Sequence, residues 1–292
     1  MYPSRFRYEA PTSLDEAVGL LHAGGLDAKV LAGGQSLVPM LKLRFAAPEL
    51  LVDINNLPDL DYHHVDAGGV LRVGALCRHA DLERSALLAE RQPTMAAAAP
   101  LIADPLVRNR GTLVGSLCHA DPQGDWASVM TALGGHVVAY GPNGRREIPV
   151  TEFVTGPFQN ALAYDEIAIE AVVPAPKAIP GGGYLKLERR VGDFATVGVA
   201  VAVERDRGLV VSRAGIGLTG VGGSTIDARA AADALVGHAL SADVIDTAAD
   251  LAAQAAEPRT DHRGSAEYKR NVVRTFTARL LHRVAETEER AA

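Results

Sequence analysis

Two glycines that follow a short aliphatic run are the clearest candidates for chemistry in this sequence. The three aliphatic residues 30–32, which follow Lys29, predict a short buried strand that runs straight into Gly33 and Gly34. Glycine lets backbone N–H groups converge on an anion, because no Cβ blocks a left-handed conformation or a close approach. Residues 30–37 therefore predict a turn that could hold a pyrophosphate, although an ordinary tight turn would use the same residue types.

A second glycine segment follows roughly eighty residues later. Residues 108–117 read Arg-Asn-Arg-Gly-Thr-Leu-Val-Gly-Ser-Leu, so glycine, hydroxyl and aliphatic residues again occur together, with two arginines just upstream. We interpret this segment as a second anion-binding turn. Two such turns, far apart in the chain, predict a dinucleotide held between two subdomains.

The sequence around both segments resembles a known family. AGGQSLVPMLKLR at residues 32–44 and IADPLVRNRGTLVGSLCHADPQGDW at residues 102–126 are similar to the FAD-binding subunits of the molybdenum hydroxylases. That family includes the medium subunits of aerobic carbon monoxide dehydrogenase and of related heterotrimeric dehydrogenases, and the flavin domain of xanthine dehydrogenase. The resemblance covers almost the whole chain and implies noncovalently bound FAD.

The resemblance also implies which residues hold the cofactor. The first segment would wrap the pyrophosphate and ribityl chain, mainly through backbone amides, and the second would complete that cradle. An acidic residue after the second segment and two later positions would lie close to the flavin. These residues are Val30, Leu31, Ala32, Gly33, Gly34, Gln35, Ser36 and Leu37, then Thr112, Leu113, Val114, Gly115 and Ser116, and finally Asp125, Ile169 and Lys186.

Three of these positions carry a qualification. Val114 stands where the family usually has glycine, and a valine cannot easily adopt a positive φ. Asp125 could instead be only the N-cap of a following helix. The resemblance places Lys186 near the reducible edge of the flavin, where a cation would favour the anionic reduced ring. Without the resemblance, Lys186 is typical of a lysine on the surface of a strand.

Aromatic residues near these motifs have a structural and a functional interpretation. Phe194 lies in a Gly-Asp-Phe-Ala segment that approaches the isoalloxazine in the family. Because aromatic side chains most often fill cores, we expect Phe194 and Trp126 in the core.

Four cysteine and histidine residues could form another kind of site. Cys77 and His79, together with Cys118 and His119, contain the two thiols and two imidazoles of a tetrahedral zinc site. Their spacing matches no zinc motif, so we predict no metal in this chain. Cys118 or His119 could also attach a flavin covalently, but the resemblance implies noncovalent binding.

Composition and charge limit the classes of partner. The chain has 292 residues, of which 48% are hydrophobic and 22% charged, as in soluble globular proteins. A net charge of −6 gives no electrostatic reason to expect nucleic acid. No apolar run reaches the roughly 20 residues of a membrane span, and no hydrophobic signal core is present, which predicts a cytoplasmic protein. Two cysteines are too few for an iron–sulfur cluster.

Helices and strands must position these residues. Ser13 and Glu16 predict a capping box for a helix that runs to residue 22 or 23 and stops at the glycine pair 24–25. A helical stretch from residue 80 is predicted to end near Pro93. Further predictions are strands at 50–54, 71–75 and 167–173, helices at 96–105 and 124–133, a hairpin at 136–150, a proline- and glycine-rich linker at 174–183, strands at 184–188, 196–204 and 209–217, and helices at 227–235, 243–256 and 266–285.

The predicted fold class is α+β. Under the resemblance, residues 1–177 form a FAD-binding fold of the PCMH/VAO type with two subdomains, at about 1–55 and 56–177. Residues 178–292 form an α+β domain like the C-terminal domain of the carbon monoxide dehydrogenase flavoprotein.

The function that the resemblance implies is electron transfer within a heterotrimer. A large molybdopterin-binding subunit would oxidise the substrate, a small subunit with [2Fe-2S] clusters would relay the electrons, and FAD in this chain would pass them to an external acceptor. A dimer of such heterotrimers is expected, and this chain would contribute no residue to substrate oxidation. Two other functions stay open, namely a self-contained flavin oxidase of related fold and a flavin-free assembly protein.

Overall fold

Helices and strands are interleaved along the whole chain. The computed structural model describes residues 2–289, with side chains to residue 286. The first residue of the predicted N-terminal domain and residues 290–292 of the predicted C-terminal domain lie outside the described residues. The helices are α1 (Leu14–Gly24), α2 (Leu37–Leu43), α3 (His79–Glu83), α4 (Ala86–Arg91), α5 (Pro93–Ala98), α6 (Pro105–Arg108), α7 (Leu113–His119), α8 (Asp125–Leu133), α9 (Val150–Phe153), α10 (Arg229–Asp233), α11 (Ala242–Ala255) and α12 (Ala266–Glu289).

The strands form three main sheets and one short pair. They are β1 (Arg7–Glu9), β2 (Ala28–Leu31), β3 (Leu50–Asp53), β4 (His63–Val65), β5 (Leu71–Gly74), β6 (His136–Gly141), β7 (Gly144–Pro149), β8 (Val154–Gly156), β9 (Gln159–Asn160), β10 (Ile167–Val173), β11 (Ile179–Leu187), β12 (Val197–Arg205), β13 (Val211–Thr219) and β14 (Ile226–Asp227). The predicted mixed fold is confirmed.

The first sheet is small and parallel, with the order β1-β3-β2. Helix α1 packs on it and begins as predicted, since the Ser13 hydroxyl accepts the Glu16 backbone N–H at 3.2 Å. The Glu16 carboxylate accepts the Thr12 N–H at 2.8 Å and so closes the cap one residue earlier than in a standard capping box. This unit delivers the end of β2 to the first glycine segment.

The second sheet is antiparallel and has the order β4-β5-β10-β6-β7. Its central strand β10 is buried at every residue, and the predicted hairpin joins β6 to β7. Helix α7, which contains the end of the second glycine segment, packs on β5 and β10 of this sheet and also contacts α8, which packs on β12 and β13.

The third sheet, β11-β12-β13-β14, lies between two cores. Alternate residues of β12 point in opposite directions: Val199 and Val201 belong to a core with α10, α11 and α12, whereas Ala200 and Ala202 belong to the core of the N-terminal part. Helix α8 approaches β13 closely, because a Cβ on Gly217 would lie 2.0 Å from the Ser128 carbonyl oxygen. This contact fixes the helix that begins at Asp125.

The predicted linker was wrong over residues 179–183, which form the start of β11. The glycines there permit close packing instead of flexibility. Gly182 has φ of +153°, and a Cβ on it would lie 2.2 Å from the Val201 carbonyl oxygen and 2.4 Å from Thr94 Oγ1. A glycine cluster in a strand and one in a linker look alike in sequence.

Two local predictions also need correction. In the second glycine segment only residues 109–110 form a turn, since Thr112 is the N-cap of α7 and Leu113 is its first residue. Pro93 does follow the end of a helix, but it is also the first residue of the next helix, α5. A proline suits that position because the first backbone N–H of a helix has no intrahelical acceptor. None of the helices in the described part of the chain is both long and apolar enough to cross a membrane.

Candidate functional site

The two glycine segments meet in the folded chain. A Cβ on Gly33 would lie 2.2 Å from the Arg110 carbonyl oxygen and 2.8 Å from the Gly111 Cα, so no side chain fits at residue 33. Gly34 adopts φ of +73°, a conformation that favours glycine. Segments that lie far apart in sequence therefore contact each other backbone to backbone, as the prediction of a shared site required.

The second segment presents the first turn of α7. Thr112 Oγ1 accepts the Gly115 N–H at 3.0 Å, and a Cβ on Gly115 would lie 2.7 Å from that hydroxyl oxygen. Val114 sits inside the first turn and is not among the residues with positive φ. Valine is therefore compatible with this segment, because the helical conformation removes the need for glycine at residue 114.

A cavity of about 740 Å³ lies where the glycine segments meet. This volume is within the roughly 300–1,000 Å³ typical of small-molecule sites. Of the predicted site residues, the cavity is lined by Val30, Ala32, Gly33, Gly34, Gln35, Ser36, Leu37, Thr112, Val114, Gly115, Ser116, Asp125 and Lys186. The other three do not line it: Leu113 and Ile169 are 0% and 4% exposed in the hydrophobic core, and the Leu31 side chain would lie 3.2 Å from a Cβ on Gly34.

A buried polar network forms another wall of the cavity, opposite in character to the glycines. Asp125 Oδ1 accepts the Tyr184 hydroxyl at 2.5 Å, and Oδ2 accepts Lys186 Nζ at 3.0 Å. Asp125 is the first residue of α8 and Gly124 is the N-cap, so the N-cap interpretation of Asp125 was wrong. The Lys186 side chain is 1% exposed and also donates to the Leu101 carbonyl at 3.0 Å, which contradicts the surface-lysine alternative.

Burial dominates the electrostatics of this network. Burial raises the pKa of Asp125, while the Lys186 ammonium and the Tyr184 hydroxyl act in the opposite direction. Burial and the adjacent Asp125 raise the pKa of Tyr184 well above its usual value, so Tyr184 remains a neutral donor. A second carboxylate, Glu188, lies 3.7 Å from Lys186 Nζ. Two carboxyl groups therefore offset the positive charge of Lys186.

The loop between β11 and β12 also reaches the cavity. Phe194 is 50% exposed and lines the cavity with Asp193, so our expectation of a core position for Phe194 was wrong. Trp126 is fully buried, as expected. Arg263 holds the loop by donating to the Phe194 carbonyl at 2.9 Å and by pairing with Asp193 at 3.3 Å.

The candidate zinc ligands do not form one site. His79, Cys118 and His119 line the cavity, whereas Cys77 does not. Among the described residues, the convergent group of possible metal ligands is Asp61, Cys77 and Asp81, and it includes none of those three. Burial raises the pKa of Cys118 to about 12, so its thiol stays protonated and is a poor nucleophile for attaching a flavin.

Sequence reasoning missed several residues that shape the cavity. Ala103 adopts φ of +45°, and Arg108 holds this lining segment by donating to the Ile102 and Ala103 carbonyls, each at 2.9 Å. Glu83 in turn accepts Arg108 Nε at 2.8 Å. No sequence signal links Glu83 to Arg108. Tyr184 could have been found, because it lies two residues before Lys186 and thus on the same face of a strand.

Two family models match this chain, and together they cover most of it. Residues 4–176 match the FAD binding domain in molybdopterin dehydrogenase, and residues 183–284 match the CO dehydrogenase flavoprotein C-terminal domain.

Individual relatives match over nearly their full length. The carbon monoxide dehydrogenase medium chain of Hydrogenophaga pseudoflava is 43% identical over 97% of this chain and 98% of its own. Subunit alpha of the 6-hydroxypseudooxynicotine dehydrogenase complex of Paenarthrobacter nicotinovorans is 38% identical over 99% of both chains. The solved structure of the Hydrogenophaga carbon monoxide dehydrogenase that lacks the Mo-pyranopterin moiety has a TM-score of 0.92 at 44% identity, covering 97% of this chain and 98% of that one.

Proposed function

This chain belongs to the family of FAD-binding medium subunits of molybdopterin-dependent dehydrogenases, and from this premise we propose that it passes electrons from a small iron–sulfur subunit to an external acceptor. The observation that carries the proposal is the contact of Gly33 with Arg110 and Gly111 at the wall of the cavity. That contact brings together the first glycine segment and the start of α7, two backbone segments whose N–H groups can converge on a dinucleotide pyrophosphate.

The residues around the cavity fit FAD in their chemistry. We propose that the backbone amides of Gly33, Gly34 and Gln35 and the first turn of α7 hold the pyrophosphate, with Ser36 as a side-chain donor. A Cβ at Gly33 would fill the space in which the two backbones meet, so the cradle depends on the absence of that atom. Leu31, Leu113 and Ile169 would contribute at most through their backbones, since their side chains do not line the cavity.

The buried polar network of Asp125, Tyr184 and Lys186 suggests how the flavin end of FAD is held. We expected Lys186 to favour the reduced ring by its positive charge, but Asp125 lies 3.0 Å from its ammonium and offsets that charge. We therefore propose that Asp125 and Lys186 act chiefly as hydrogen-bonding groups that position FAD. FAD, when bound, supplies the ability to accept single electrons from iron–sulfur clusters and to release one or two to an acceptor.

Two features support placing the other redox centres on partner subunits. The chain has two cysteines, and an iron–sulfur cluster usually takes four thiolate ligands. The chain is also similar to subunits of enzymes named for chemically different substrates, carbon monoxide and 6-hydroxypseudooxynicotine. We propose that a large molybdopterin-binding subunit selects and oxidises the substrate. We also propose a domain division at residues 177/178, because β11 begins the third sheet at Ile179.

Affinity purification of the tagged chain from its native host tests this function. We expect two further subunits, molybdenum, iron and a flavin absorbance spectrum to co-purify, with a mass that corresponds to two heterotrimers. The separated chain should rebind FAD without oxidising the substrate of the complex. A yellow chain that purifies alone and oxidises an organic substrate would indicate a self-contained oxidase, and a colourless chain would indicate an assembly protein.

A further inference from the structure

We propose that His79 donates a hydrogen bond from Nε2–H to an oxygen of the pyrophosphate–ribityl segment of bound FAD. The inference rests on the proposed function and assigns a residue that we had weighed only as a metal ligand. The His79 ring lies at the junction of the glycine segments. Its backbone N–H donates to the Gly111 carbonyl at 2.9 Å, and a Cβ on Gly111 would lie 2.9 Å from His79 Nε2.

The position of the ring proton follows from its neighbour Trp126. Trp126 Nε1–H donates to His79 Nδ1 at 3.1 Å, and an indole nitrogen can only donate. Nδ1 must therefore be unprotonated. Burial, together with the nearby Arg108 and Arg78, lowers the pKa of His79 to about 4, so the ring is neutral near pH 7. A neutral imidazole whose Nδ1 is unprotonated carries its proton on Nε2.

The Nε2–H group of His79 needs a hydrogen-bond acceptor. Within residues 2–286, Nε2 has no hydrogen-bond partner. It is absent from the set of unpartnered side-chain atoms that are completely enclosed, so Nε2 is partly accessible. The residue is 4% exposed, and it lines the cavity. The accessible part of the ring therefore faces the cavity. A donor in such a place favours a ligand acceptor, because a largely buried donor without a partner is destabilising.

The location of the ring indicates which part of FAD it meets. Gly33 packs against Gly111, and Gly111 packs against the His79 ring, so the three residues form one continuous row along the cavity wall. Trp126, the hydrogen-bond partner of His79, directly follows Asp125 in sequence, and Asp125 pairs with Lys186 in the polar network. His79 thus lies between the glycine junction and the polar network, which corresponds to the pyrophosphate and ribityl oxygens. A neutral imidazole supplies a directed donor there without adding a charge.

The test measures FAD binding to the full-length chain after its flavin has been removed. His79→Phe removes the donor and keeps a planar ring, and we expect the dissociation constant for FAD to rise about tenfold, as for the loss of one hydrogen bond. His79→Gln restores an N–H near the Nε2 position, so its dissociation constant should stay nearer to that of the wild type. His238→Gln, at an exposed histidine away from the cavity, is the matched control.

Two readouts separate ligand binding from a merely structural role. The melting temperature of each flavin-free variant reports folding, and ¹⁵N–¹H NMR of the His79 ring reports the Nε2 proton, whose resonance should shift when FAD is added. The proposal is overturned if His79→Phe binds FAD as tightly as the wild type, or if both His79 variants lose affinity equally and in parallel with melting temperature. Failure of the wild type itself to bind FAD would instead overturn the proposed function.

Discussion

The cavity has two walls that are built in opposite ways. At the glycine wall, Gly33 touches the backbone of Arg110 and Gly111 because it has no side chain. At the polar wall, Asp125, Tyr184 and Lys186 satisfy one another through buried side chains. The first wall depends on atoms that are absent, and the second depends on every partner being present. A substitution should therefore damage the first by adding a methyl group and the second by removing a charge.

The largest effect is expected at the polar wall. Lys186→Met leaves the Asp125 carboxylate buried without its ammonium partner, and breaking such a pair typically costs about 3–5 kcal/mol. Urea unfolding of the flavin-free chain should show this loss. The double variant Asp125→Asn with Lys186→Met removes both charges and should regain part of the lost stability. A single variant as stable as the wild type would show that the pair is not buried as described.

At the glycine wall we expect a loss of binding. Gly33→Ala places a methyl group 2.2 Å from the Arg110 carbonyl oxygen, so the two segments must separate. The FAD dissociation constant should rise about a hundredfold, equivalent to roughly 2.7 kcal/mol, in a fluorescence titration. Gly19→Ala is the control, because no atom lies within 4 Å of a Cβ at that helical position. Equal affinities for the two variants would mean that the segments do not share a ligand.

Between the walls, His79 should make the flavin-free chain sensitive to acid. Its pKa is lowered from 6.5 to about 4, so the unfolded chain takes up a proton at a higher pH than the folded chain does. The stabilisation is complete above pH 6.5 and declines as the pH falls towards 4, by about 2 kcal/mol between pH 7.5 and 5. Unfolding measured at both pH values should show a smaller decline in His79→Phe. Identical declines would place the ring in solvent.

The smallest effect on binding is expected at Val114. Its side chain is 2% exposed in the core, while its backbone lies in the first turn of α7. Val114→Ala should therefore leave the FAD dissociation constant within about twofold, while lost burial lowers the stability by roughly 2 kcal/mol. Isothermal titration and thermal unfolding of the same variant separate the two effects. A large loss of FAD affinity would assign the side chain, and not the backbone, to the site.

The two walls were also unequally predictable from sequence. A glycine pair after a strand predicts a close backbone contact through its residue type, and Ser13 with Glu16 predicted a cap because caps are local. The polar wall joins residues from α8 and β11, so sequence reasoning without the family resemblance placed Lys186 on the surface and Asp125 at a helix cap. Long-range pairing leaves no local pattern.

Glycine itself was ambiguous in another region. Gly181 and Gly182 were predicted in a linker, but they allow β11 to pack against neighbouring side chains and backbone. The neighbours of Gly182, Val201 and Thr94, come from distant parts of the chain, so the tight contact cannot be seen in the local sequence. The same limit hid the link between Trp126 and His79, which lie 47 residues apart.

The most direct test of the central claim is a crystal structure of the full-length chain with FAD bound. The account predicts the pyrophosphate at the backbone N–H groups of Gly33, Gly34 and the first turn of α7, with the flavin end towards Asp125 and Lys186. Density for FAD elsewhere on the protein, or a pyrophosphate that leaves the junction of Gly33 and Gly111 empty, would contradict it.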